Sequence, residues 1–117
     1  MIYFYGIQRE NIDRYICIVV CEAMVGDYLN FNFQYCAVSI IPDLPMSFGG
    51  TTDPCAIANL MSIGGLGVEL NKKHAKVLFD LVEMELGIPS DRMYITFQNA
   101  PTSDVGYKGT TFHEIFG

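Results

Sequence analysis

At 117 residues the chain has the length of one domain, enough for a single core and too short for two. Half of its residues are hydrophobic and only 17% are charged, a balance that points to an oligomer burying further surface. The net charge of −6 argues against nucleic acid, because holding phosphates takes a basic patch, and the one basic cluster here is Lys72, Lys73 and Lys76.

The first segment, MIYFYGI over Met1–Ile7, is rich in aromatic and β-branched residues and reads as a strand. A helix is expected next, with Asn11 as N-cap, Asp13 in its first turn, and apolar residues at Ile12, Ile16, Val19, Val20, Ala23 and Tyr28. The run ICIVV within it also suits a strand. Its longest apolar stretch, Tyr15 to Cys21, is closed by Glu22 and falls far below the roughly 20 residues a membrane span needs. No signal peptide is expected either, since Arg9, Glu10, Asp13 and Arg14 sum to no net charge and no small-residue cleavage pattern follows.

QYCAVSII, 34–41, reads as a second strand, stopped by Pro42-Asp43 and Pro45. Cys55 to Ile63 reads as a third, broken by Gly64-Gly65 and Gly67. From about Leu70 to Leu86 the pattern is helical, marked by Ala75, Leu78, Leu81, Val82 and Leu86 and ended by Gly87 and Pro89. The lysines form its solvated face, with Glu69 one turn before Lys73 to pair with it. MYITFQ, 93–98, is a fourth strand. The order is strand-helix-strand twice, an α/β domain with one four-stranded sheet and two helices on one face. The opposite face would be left apolar, for a partner subunit to cover.

Two chemistries can be tested against spacing. Gly49-Gly50 suggest a phosphate loop, but they lead to TTDP and an apolar strand instead of a helix N-terminus, and no Lys follows. Cys17 and Cys21 stand at i and i+4 on the expected helix, about 5–6 Å apart at Cβ, too far for a disulfide. With Cys36, Cys55, His74 and His113 they match no zinc spacing, so the thiols read as buried and reduced, and neither a metal nor a cofactor is expected.

FGG at 48–50, DPCA at 53–56, SIGG at 62–65, SDRMYI at 90–95 and VGYKGTTF at 105–112 together resemble the macrophage migration inhibitory factor family of the tautomerase superfamily. The resemblance runs from about Tyr35 to Phe112. It implies a single tautomerase-type double β-α-β domain with a mixed sheet, assembled as a homotrimer around a central channel. The resemblance further implies a cytokine-type signalling role through a cell-surface receptor, with release without a signal sequence alongside a cytoplasmic location. If catalytically active, it would isomerise small aromatic keto acids of the phenylpyruvate or dopachrome type.

The resemblance also assigns a substrate pocket at the subunit boundary. Ile63 matches a position whose backbone N–H and side chain face substrate, and Tyr94 a pocket tyrosine from the neighbouring subunit. Val105 and Phe112 match apolar walls, Tyr35 and Tyr107 aromatic rim positions, and Thr96 stands where vertebrate-type members place Asn. The glycines then serve either close approach of two subunits or ordinary turn geometry. Read without the resemblance, Tyr94 is a strand aromatic in core or interface.

Two family features have no counterpart. Catalysis there depends on an N-terminal proline whose amine, kept neutral by an apolar pocket, moves a proton beside a keto group. This sequence opens Met1-Ile2-Tyr3 with no proline before Pro42, and Met1 aligns with the position after the family's proline. The pocket lysine falls at Phe31. No catalytic residue is therefore assigned and weak isomerase activity is expected, since a base misplaced by about 1 Å can cost on the order of a hundredfold. A thiol oxidoreductase is a weaker alternative, because the C-x-x-C that some members begin at Cys55 ends here on Ala58.

Overall fold

The computed structural model describes residues 35–116 and, as backbone, residues 2–7. The expected first helix, with Asn11, Cys17, Cys21, Tyr28 and Phe31, lies outside the described residues.

Four strands form one sheet: β1 (Ile2–Ile7), β2 (Val38–Pro42), β3 (Ala56–Ser62) and β4 (Met93–Asn99). Their order is β2-β1-β3-β4, with β1 parallel to β2, β3 parallel to β4, and the two parallel pairs meeting antiparallel at β1 and β3. The β3–β4 pair, joined through the helix between them, is the strand frame of one β-α-β unit, and the expected sheet is realised with mixed strand directions. The second strand is shorter than its apolar pattern suggested, starting at Val38 and ending on Pro42. That proline is tolerated because β2 is an edge strand. Cys55 is fully buried one residue ahead of β3.

The chain between β3 and β4 forms α1 (Val68–Leu86), two residues longer at its start than its apolar periodicity marks. Asn71 Oδ1 accepts the Gly67 N–H at 3.2 Å while the Asn71 N–H donates to the Gly67 carbonyl at 2.8 Å, so one residue secures the helix start twice. At the other end Gly87 takes the left-handed conformation (φ 68) and its N–H donates to Glu83 O.

The buried face of α1 is His74, Leu78, Leu81, Val82 and Leu86, at helical spacing. It packs on Ala56, Ala58 and Leu60 of β3 and Met93 of β4, with Ile88 closing the same core. Alternation does the rest: small alanines on β3 let the helix approach, while the intervening Ile57, Asn59 and Met61 point to the opposite face. The interior position is His74, not Ala75. Fully buried, His74 donates from Nε2 to the Gly65 carbonyl at 2.8 Å, tying the helix to the turn that leaves β3.

Two expectations are corrected here. Glu69 pairs with Lys72 at 3.3 Å instead of Lys73, because the i+3 side chain reaches it in this rotamer; both groups are exposed and the pair contributes little. The open sheet face is not uniformly apolar. Ile41, Ile57 and Tyr94 are exposed on it, but Ser39, Asn59, Thr96 and Gln98 share it, and Asn59 Nδ2 donates to Thr96 Oγ1 at 2.8 Å.

After β4 come a short hairpin, β5 (Gly106–Tyr107) and β6 (Thr110–Thr111), and a terminal turn of helix, α2 (Phe112–Phe116). No described helix is long and apolar enough to cross a membrane.

Candidate functional site

Aromatic residues gather in two places. The first is built from the C-terminal hairpin. A single turn at Thr102–Asp104 is closed by the Asp104 N–H on Pro101 O at 3.0 Å, and the Phe112 N–H then donates to Val105 O at 3.1 Å. These two bonds fold α2 back beside the hairpin. Tyr107, Phe112 and Phe116 consequently lie in a near-parallel stack, with Tyr107–Phe112 centroids 5.3 Å apart at 10° and Phe112–Phe116 5.1 Å apart at 19°. Tyr35, arriving from the segment before β2, stands edge-on to all three at 5.4, 5.4 and 5.8 Å. Both geometries are the favoured ones for ring quadrupoles. Phe112 is the buried member of the cluster; Tyr107 and Phe116 keep 38% and 54% of their surface.

The second place is the start of β4. Tyr94 is 64% exposed on the open sheet face, and its ring lies 5.0 Å from that of Phe48. Phe48 opens a two-residue turn in which Phe48 and Thr51 exchange both backbone bonds, at 2.9 and 3.2 Å. Gly49 and Gly50 occupy the centre with φ of 59 and 84, a pattern that costs other residues steric strain. A Cβ on either would meet nothing within 4 Å, so within this chain backbone conformation, not crowding, requires the glycines.

Arg92 holds this turn. Its guanidinium donates to the carbonyls of Pro54 (3.1 Å), Phe48 (3.1 Å), Thr51 (3.4 Å) and Asp53 (2.9 Å) and lies 5.5 Å from the Phe48 ring centre. A planar fork with several fixed donors can span so many acceptors; an ammonium cannot.

The residues assigned from the sequence thus separate. Tyr35, Tyr107 and Phe112 meet in the aromatic cluster, and Val105 bonds to Phe112 through its backbone. Tyr94 and Thr96 lie together on the open face of β4. Ile63 is half-buried just past β3, where Ser62 Oγ donates to Gly64 O at 2.7 Å and the Gly64 N–H donates to Asn99 Oδ1 at 3.0 Å. Arg92, Phe48 and Phe116 went unassigned. For the first two a signal existed, since both lie inside the FGG and SDRMYI motifs; Phe116 lies beyond the last motif and carried none.

A family model described as macrophage migration inhibitory factor (MIF) matches residues 7–113. The chain belongs to the macrophage migration inhibitory factor family. A macrophage migration inhibitory factor homolog of Trichinella spiralis is 49% identical over 91 residues, 78% of this chain and 80% of that protein. The solved structure of the Trichinella spiralis factor superposes with a TM-score of 0.83 at 40% identity, covering 95% of this chain and 96% of that one. A homologue from Prochlorococcus marinus superposes with a TM-score of 0.89 at 26% identity over 95% of this chain and 97% of that one. The family match begins at residue 7, well ahead of Tyr35, where the quoted motifs first carry the resemblance. The macrophage migration inhibitory factor fold therefore accounts for the described sheet.

Chemically, the C-terminal cluster offers ring faces and the phenol hydroxyls of Tyr35 and Tyr107, a composition that suits a planar, largely apolar ligand.

Proposed function

We propose that this member of the macrophage migration inhibitory factor family acts as a homotrimeric, cytokine-type signalling protein that retains a tautomerase-type pocket with weak catalysis. The observation that carries this reading is the separation of the assigned residues into two groups. Tyr35, Tyr107 and Phe112 form one aromatic wall and Tyr94 with Thr96 lie on the open sheet face. A pocket shared between neighbouring copies accommodates that separation: one subunit contributes Ile63, Tyr35, Val105, Tyr107 and Phe112, the next contributes Tyr94 and Thr96. Ile41, Ile57 and Tyr94, exposed together on the sheet, favour self-association, since joining copies removes that apolar surface from water.

The weak-catalysis part of this reading is supported by Phe31, which falls where the resemblance places the lysine that would pair with a substrate carboxylate. The test combines three measurements on the native protein: light scattering for a trimer, enol–keto conversion of phenylpyruvate followed by absorbance, and a cell-migration assay at saturating protein. A monomer, or a trimer without effect on migration, overturns the signalling reading.

A second reading is an active phenylpyruvate or dopachrome isomerase. It is favoured by the intact aromatic wall. N-terminal sequencing with intact mass separates the two, because a native chain that opens on proline has the family's base and would show conversion that Tyr94→Phe reduces.

A further inference from the structure

Phe116 stands at the end of the three-ring stack and is 54% exposed, whereas the middle ring, Phe112, is 7% exposed. A half-exposed phenylalanine held in place on one side by Phe112 and edge-on by Tyr35 is an ordered apolar surface, with little side-chain freedom left to lose when a ligand lands on it. Its neighbours on α2, His113 and Glu114, are exposed, so the ring's inward position is set by packing against Tyr35 and Phe112 and not by burial of the whole turn. We propose that Phe116 is a specificity-determining residue of the aromatic cluster, adding a ring face that selects planar aryl ligands over aliphatic acids of similar charge. This rests on the reading of Tyr35, Tyr107 and Phe112 as a ligand wall.

The physical basis is ring–ring attraction beyond simple area burial, an increment equivalent to roughly two- to tenfold in affinity. Because an aliphatic chain lacks the quadrupole, its affinity depends on Phe116 far less than that of an aryl ligand.

The experiment titrates 3-phenylpropionate and butyrate, neither of which carries a keto group to isomerise, into the full-length protein by calorimetry. Wild type, Phe116→Ala, Phe116→Tyr and Tyr107→Ala are compared, with light scattering on each. The expected result is that Phe116→Ala weakens 3-phenylpropionate about two- to tenfold, Phe116→Tyr restores it, and butyrate changes little. If Tyr107→Ala weakens 3-phenylpropionate and Phe116→Ala does not, the role of Phe116 is overturned and the ligand wall stands. Absence of 3-phenylpropionate binding by the wild type overturns both. A lower assembly mass for Phe116→Ala makes Phe116 an interface residue and overturns the proposal as well.

Discussion

Phe48-Gly49-Gly50-Thr51 and Tyr107-Lys108-Gly109-Thr110 are two turns of the same construction. Each begins on an aromatic residue, ends on threonine, pairs its outer residues antiparallel and holds both central residues at positive φ. They differ in what fixes them. The first is held by polar bonds from Arg92, the second by ring stacking from Phe112. The polar arrangement keeps a half-exposed loop in register through directional bonds to carbonyls that would otherwise be solvated. The apolar one depends on burying Phe112, which is non-directional and fails as soon as the volume is lost.

The comparison can be broken most severely at Phe112. Phe112→Ala leaves a hole beneath Tyr35, Tyr107 and Phe116, and should lower stability by about 3–5 kcal/mol in chemical denaturation at fixed protein concentration. Tyrosine fluorescence should report loosening of this cluster while the Phe48 turn persists.

Arg92→Met is next. The carbonyls it served are partly reached by water, so the expected loss is about 1.5–3 kcal/mol. Hydrogen exchange of the Phe48 and Thr51 amides should accelerate, and Arg92→Lys should recover only a fraction, because one ammonium cannot reach all four carbonyls. Equal protection of those amides in Arg92→Met would mean that the glycine turn holds itself.

Gly50→Ala sharpens the backbone side of the comparison. With φ at 84 and open space around the missing Cβ, the cost is conformational alone, about 1–2 kcal/mol, read from the shift in denaturation midpoint. The smallest effect belongs to the other turn. Lys108 occupies φ 56 where asparagine is better tolerated, so Lys108→Asn should stabilise by about a few tenths of a kcal/mol. A destabilised Lys108→Asn would show that the lysine side chain makes a contribution of its own.

Most of the fold was legible because it depends on local periodicity. Leu78, Leu81, Val82 and Leu86 repeat at helical spacing, Gly87 ends the helix in the left-handed conformation that glycine permits, and β3 alternates as a half-buried strand does. The site was less legible. The proposed rim positions Tyr35 and Tyr107 and wall position Phe112 came from the family resemblance, and chain position alone gives no reason for residues 72 apart to touch, as Tyr35 and Tyr107 do. His74 illustrates the limit within one helix. Sequence gave it no role beyond a failed zinc pattern, yet it occupies the interior because Gly65 O lies within reach of its Nε2.

By itself the amino-acid sequence determined the number and kind of the described main elements, the helix boundaries within about two residues, and the family, since these follow from short-range periodicity, turn chemistry and ordered motifs. Tertiary structure alone decided which aromatic rings meet, that Arg92 braces the glycine turn beside Tyr94, and that the open sheet face mixes Ile57 and Tyr94 with Asn59 and Thr96. Those outcomes depend on strand register and on the path of the chain after β4, and contacts between residues distant in sequence form only where the whole sheet brings them together.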